Sequence, residues 1–222
     1  MKINSIFSLV ATVLACVLLQ GCATTAPYDY SSFKVSKPKS ILILPPINNS
    51  PDVTATHSVM AQVTRPLAES GYYVLPVSLV AEAFKENGLT QPTDMHATSK
   101  EKLREIFGAD AAFYITVTKF GPVYTVINSE TLVAVEGRLM DLTTGDVLWT
   151  GRAQASSAES EQRQSGGLAA MLITALVKQV LASTFENGHR YAGMASDRLL
   201  TAGQKNGILY GPRSPRYGKD SQ

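Results

Sequence analysis

The chain has 222 residues, with 20 Lys and Arg against 18 Asp and Glu for a formal charge of +2. These charges are interspersed instead of blocked into runs, which excludes the basic stripe of a nucleic-acid binder. Its two cysteines, Cys16 and Cys22, both lie within the first 22 residues, so the body of the protein has neither a disulfide framework nor a thiolate metal site. A body of this size can bury roughly 70% of its unfolded surface in one core, so stability needs no cross-link.

Lys2 precedes an apolar run from about Ile6 to Leu19 that closes on Leu19-Gln20-Gly21-Cys22. A charged start, an apolar middle shorter than the ~20 residues of a spanning helix, and a small residue before the cleavage point mark a secretory signal. Residues 1–21 are expected to be a signal peptide, with an uncleaved N-terminal anchor as the alternative. The closing tetrad resembles the lipobox of bacterial lipoproteins. That resemblance implies a diacylglycerol thioether on Cys22 and acyl chains such as palmitate. Two or more chains anchor stably, because each buried methylene contributes ~0.8 kcal/mol. Ala23, where an aspartate would retain a lipoprotein at the inner membrane, resembles default sorting to the outer membrane, with the leaflet left open.

Residues 22–39 contain Pro27, Pro38 and several Ser, Thr and Tyr with little apolar periodicity, and read as a lipidated tether. Ser40-Ile41-Leu42-Ile43-Leu44, stopped by Pro45-Pro46, reads as a strand buried on both faces, and opens a single α/β domain over residues 40–203. Val59, Val63 and Leu67 share one helical face, with Pro66 near the end and Gly71 at the stop. Tyr72 to Val77 is the next strand, and Ser78 is expected to cap a helix carrying Leu79, Ala83 and Phe84. Thr98 and Glu101 have capping-box spacing before a helix with Leu103, Ile106 and Phe107, closed by Gly108.

Ala111 to Phe120 alternates Phe113, Ile115 and Val117 against Tyr114, Thr116 and Thr118, a strand with one face well buried. Leu132 to Leu142 and Asp146 to Ala155 follow as a hairpin around Thr143-Thr144-Gly145. Alternating strands and helices followed by consecutive strands predict an α/β fold with a mixed sheet flanked by helices. Gly166-Gly167 then introduce a helical run from Leu168 to Phe185, apolar on too many sides for a lone surface helix. A core helix, a subunit interface and a membrane-inserting element all remain open for it. Leu168, Met171, Leu172, Ala175 and Leu176 are the candidate interface. A short helix is expected around Ala195 to Thr201, and residues 204–222, with Arg213, Arg216 and Lys219 among Gly and Pro, read as a flexible basic tail.

Motifs for catalysis are scarce. His57, His96 and His189 stand apart with no second ligand type at metal spacing, and each reads as a surface residue. Ser165-Gly166-Gly167 lacks the first glycine of a nucleophile elbow, and no phosphate-cradling glycine loop occurs. Asp141 and Asp146 flank a turn, where aspartate favours turn geometry. The residues therefore suggest no enzyme and no cofactor.

Asp141-Leu142-Thr143-Thr144-Gly145-Asp146-Val147-Leu148-Trp149 resembles a hairpin shared by envelope lipoproteins related to the curli secretion lipoprotein and the TolB N-terminal domain. Together with the lipobox and Lys37 to Ser50, it resembles a family of outer-membrane lipoproteins that includes a neisserial vaccine-candidate antigen. The resemblance implies a TolB N-terminal-domain-like fold, a homodimer, and a part in envelope transport or secretion beside another envelope lipoprotein. Paired lipid-facing strands of a curli-type pore, alternating over ~10 positions each, are not evident, so the expected role is a non-catalytic, lipid-anchored adaptor. The alternative is a lipoprotein regulator of peptidoglycan synthesis, which resembles the same small domain on a longer tether.

Overall fold

A computed structural model of the chain describes residues 27–124, 129–162 and 184–220. In chain order these form α1 (Ser31–Ser36), β1 (Ser40–Ile43), β2 (Ile47–Asn48), α2 (Ala55–Glu69), β3 (Tyr73–Val74), α3 (Val77–Glu86), α4 (Pro92–His96), α5 (Lys100–Phe107), β4 (Ala111–Tyr124), β5 (Ser129–Asp141), β6 (Val147–Ser156), α6 (Ser157–Gln162) and α7 (Thr184–Leu200). The strands make one mixed sheet in the order β3-β1-β4-β5-β6. β1 pairs in parallel with β3 and β4, whereas β4, β5 and β6 run antiparallel. Pro45 and Pro46 have no N–H to donate and interrupt the first strand. The chain rejoins β4 as β2, with Ile47 opposite Thr116.

Ile41, Leu42, Ile43 and Leu44 are all fully buried, because helices cover both faces of the sheet at β1. On one face Ile41 and Ile43 join Phe113, Ile115, Val117, Leu139 and Trp149 beneath α2 and α7. On the other, Leu42 and Leu44 join Ala112, Tyr114, Val80, Phe84, Met95 and Leu103 from α3, α4 and α5. β4 is therefore buried on two faces along its first five residues, where alternation suggests one. The polar hydroxyl of Tyr114 gives an outward-facing signal, yet its ring lies edge-on to His96 at 5.2 Å between centroids.

Several local signals are displaced. Ser99, not Thr98, caps α5, its side chain accepting from the Lys102 N–H at 3.3 Å. α3 begins at Val77 after Pro76, with no side-chain cap from Ser78. Its buried residues are Val80 and Phe84, and Leu79 is 67% exposed. α7 runs well upstream of the short helix expected at Ala195. Its glycines resemble breakers in sequence but permit close packing: a Cβ on Gly188 would stand 2.6 Å from the Phe120 ring.

The chain ends depart furthest from expectation. Residues 28–36 do not behave as a tether, because Tyr30 and Phe33 are buried in the main core and α1 packs against β6. Residues 207–217 do not form a loose tail either. Ile208 and Leu209 are buried, and the Gly211 and Arg213 N–H groups donate to the Ser70 and Gly71 carbonyls at 2.8 and 3.0 Å. Gly71, at φ +100°, and Gly211 approach so closely that a Cβ on Gly211 would lie 2.5 Å from the Gly71 oxygen. Pro, Gly and basic residues gave these segments a disordered composition, but the buried Tyr30, Phe33, Ile208 and Leu209, with Tyr28 and Tyr210 packed against the core, dock them.

Trp149 is the largest fully buried side chain, its ring stacked at 20° on Phe113 with centroids 6.3 Å apart. The cross-strand pair Gly137 and Gly151 opens the slot for these rings. A Cβ on Gly137 would stand 2.5 Å from Phe113, and one on Gly151 would stand 2.3 Å from Trp149. Trp149→Ala is expected to cost about 3–5 kcal/mol and Gly137→Ala about 1–3 kcal/mol by overpacking, both read as shifts of the urea unfolding midpoint at unchanged m-value.

Candidate interaction surface

The segments around Tyr28 and Asn206 meet at the pole of the sheet where the parallel strands begin. Tyr28 donates its N–H to Asn206 Oδ1 at 3.1 Å, and its hydroxyl accepts from the Thr150 N–H at 3.1 Å. The Tyr30 hydroxyl donates to the Gly207 carbonyl at 2.5 Å, and burial, helped by the neighbouring Tyr28 and Asp220, pushes its pKa up to about 12. The Tyr72 hydroxyl donates to the Leu209 carbonyl at 2.6 Å, and burial raises its pKa as well. The aromatic rings of Tyr28, Tyr30 and Phe33 touch in series, 4.9 and 6.5 Å between centroids.

Asp141 ties this end to the β5–β6 turn. Its Oδ1 accepts the Thr143 and Thr144 N–H groups at 2.6 and 2.9 Å, and its Oδ2 accepts the Ser36 hydroxyl. Burial opposes its charge, but the Ser36 hydroxyl and the Thr144 and Thr143 donors outweigh that and hold the carboxyl below the usual carboxylate range. Asp141 therefore builds the turn and docks α1. Asp146 contributes its carbonyl to the Asp141 N–H at 2.9 Å.

An open edge strand would offer a pairing surface, and β6 is the edge on one side. It is blunted at two outward positions. Tyr28 takes the Thr150 N–H, and Arg198 donates to the Gln154 carbonyl at 2.5 Å while gripping Glu159 with both guanidinium nitrogens. The opposite edge, β3, is two residues long. Sheet-edge docking on β6 would thus meet Tyr28 and Arg198 on two of its backbone groups.

The sheet face turned away from α2 and α7 is polar beyond Tyr114, with Glu136, Arg138, Thr150, Arg152 and Gln154 exposed. Arg138 lies over the Tyr114 ring at 4.8 Å. His96 stands beside it, its Nε2 2.9 Å from the Pro45 carbonyl. A carbonyl only accepts, so Nε2 carries the proton. Burial lowers the His96 pKa, outweighing the hydrogen bond to Pro45, with Arg138 acting in the same direction as burial. His96 is a half-buried strut between α4 and the end of β1, where the sequence suggested a surface histidine.

His189 Nε2 lies 2.7 Å from Gln62 Nε2, and His57 is exposed on α2. No group of three potential metal ligands occurs among the described residues, and no helix among them is long and apolar enough to cross a membrane. Cys22, the candidate interface Leu168, Met171, Leu172, Ala175 and Leu176, and Ser165-Gly166-Gly167 lie outside the described residues. The docking of both termini is what sequence reasoning missed. The Tyr28-x-Tyr30-x-x-Phe33 spacing and the Ile208-Leu209-Tyr210 triplet were the available signals.

A family model described as "Putative lipoprotein GNA1162-like" matches residues 28–213, from the first docked tyrosine to the docked C-terminal segment. The chain belongs to that family. A relative in Neisseria meningitidis serogroup B, "Putative lipoprotein NMB1124/NMB1162", is 44% identical over 207 residues, covering 92% of this chain and 95% of its own. The crystal structure of lipoprotein GNA1162 from Neisseria meningitidis is 45% identical, with a TM-score of 0.51 over 64% of this chain and 98% of that one. Family members thus share the α/β fold with its mixed sheet flanked by helices.

Phe33→Ala is expected to cost about 3–5 kcal/mol in urea unfolding, whereas a substitution in a free tether would cost nothing measurable. The folded Asp141 pKa lies below its unfolded value. Its contribution is therefore complete above the ordinary carboxylate range and is lost as pH falls through the lower folded value. On acidification below about pH 4, the wild-type urea midpoint should fall more than that of Asp141→Asn, which has less to lose.

Proposed function

We propose that this protein is a lipid-anchored cell-envelope adaptor of the outer membrane, non-catalytic, and an accessory component of a transport or secretion assembly beside another envelope lipoprotein. Membership of a lipoprotein family and the Leu19-Gln20-Gly21-Cys22 tetrad support lipid anchoring at Cys22. The observation that carries the reading is the early docking of Tyr28. Only six Cα–Cα steps separate Cys22 from Tyr28, a reach of at most about 20 Å. A domain held so close to its anchor suits a partner at the same membrane. The regulator of a distant cell-wall synthase, which needs a long linker, fits less well than it did with residues 22–39 as tether. A homodimer through Leu168, Met171, Leu172, Ala175 and Leu176 belongs to the same proposal.

Metabolic labelling with palmitate is expected to mark the protein and to be lost in Cys22→Ala. In-cell crosslinking of the lipidated chain, with Cys22→Ala as control, should enrich another envelope lipoprotein or channel. Recovery of a cell-wall synthase would instead favour the regulator. For the dimer, Leu172→Asp should shift sedimentation from two copies to one, and a wild-type chain monomeric at high micromolar concentration would remove that claim.

A further inference from the structure

Residues 27–39 and 205–220 hold seven basic side chains, Lys34, Lys37, Lys39, Lys205, Arg213, Arg216 and Lys219, against the two acids Asp29 and Asp220. That is a local charge of +5 on a chain whose total is +2. The fold brings the two segments to one pole. Tyr28 and Tyr30 bond to Asn206 and Gly207, the Tyr73 N–H donates to the Lys39 carbonyl at 3.0 Å, and Arg213 lies over the Tyr73 ring at 5.1 Å. All seven basic residues are exposed. The two acids are engaged locally: Asp29 accepts the Ser31 N–H at 2.9 Å and Asp220 accepts the Tyr210 N–H at 2.9 Å. Two other carboxylates at this end turn inward: Asp110 accepts the Lys39 and Ser40 N–H groups and Asp141 holds the hairpin turn. The exposed Glu101 pairs with Lys100, and Glu69 and Asp146 are exposed. Exposed Val35, Tyr73 and Tyr217 stand among the bases.

We propose that this pole is a headgroup-facing surface, which docks the domain on the anionic phospholipid of the leaflet that holds its own acyl chains. The proposal rests on the reading of Cys22 as the anchor. Six residue steps then hold Tyr28, at this pole, within about 20 Å of the bilayer whatever path they take, close to the surface zone in which anionic headgroups attract Lys and Arg. Tyrosines and long basic side chains suit that zone, since each carries an apolar body and a polar tip. Docking fixes which face of the protein looks away from the membrane. The polar sheet face and the outer ends of β4 and β5 are then the parts left free for a partner.

The test removes the lipid's own contribution by using residues 22–222 with Cys22→Ala, in a flotation assay on phosphatidylcholine vesicles with and without phosphatidylglycerol. Binding to the anionic vesicles should be stronger by roughly tenfold or more at low salt, and should be lost at high salt. Lys34→Gln with Lys37→Gln, and separately Arg213→Gln with Lys219→Gln, should each reduce it severalfold. Lys119→Gln with Arg152→Gln, further along the sheet on β4 and β6, should leave it unchanged. Two independent variant pairs, each checked by circular dichroism, keep misfolding of one from deciding the result. Equal binding to both vesicles, binding to neither, or equal losses from the control pair would overturn the proposal. Palmitate labelling of the wild type separates this from failure of the anchor: labelled protein with no anionic preference rejects the headgroup surface alone.

Discussion

The indole of Trp149 is where sheet, core and both chain ends are joined. Its ring stacks on Phe113 inside the slot left by Gly137 and Gly151, and its Nε1–H donates to the Asn206 carbonyl at 3.0 Å. The Asn206 side chain in turn accepts the Tyr28 N–H. A buried indole needs a partner for its N–H, and here the partner belongs to the segment that returns from α7. One aromatic side chain therefore couples packing within the sheet to the placement of residues 28–36 and 205–211.

That coupling has geometric consequences. With the N-terminal segment held at β6, Tyr28 covers one of the edge strand's free N–H groups, and Arg198 covers a carbonyl four residues on. A strand that would otherwise present a row of unpaired backbone groups is blunted by the elements that lead into and out of the domain. The same docking sets the point at which the chain departs toward Cys22, and gathers basic side chains from two ends of the sequence at that point.

Much of the sheet was legible because its signals are local. The apolar run at Ile41 to Leu44 reports burial on both faces, and the Asp141 to Trp149 hairpin carries turn chemistry at fixed offsets. The helices that cover the second face of β4 were partly legible: Phe84 and Leu103 are buried as their spacing suggests, whereas Leu79 and Ile106 are exposed. Val80 replaces Leu79 because α3 starts at Val77 behind Pro76, and a start shifted by one residue rotates the face by about 100°. Gly188 and Gly193 concealed most of α7, since glycine lowers helix propensity and its use for close approach to Phe120 and Gln62 is invisible without the neighbours. The termini were hidden by composition. Pro, Gly and charged residues dominate them, and the few aromatic side chains that decide their fate dock on residues more than a hundred positions away.

By itself, the sequence determined what depends on order along the chain: the Cys22 motif, the run of strands and helices, the mixed sheet and the hairpin around Gly145. Only the tertiary structure decided where the ends go, which strand edge is covered and which bases cluster. Those outcomes depend on contacts such as Trp149 to Asn206 and Tyr72 to Leu209, made between residues far apart in sequence. Periodicity reports that a face is apolar or that a segment is polar. It does not report which distant surface will be present to receive it.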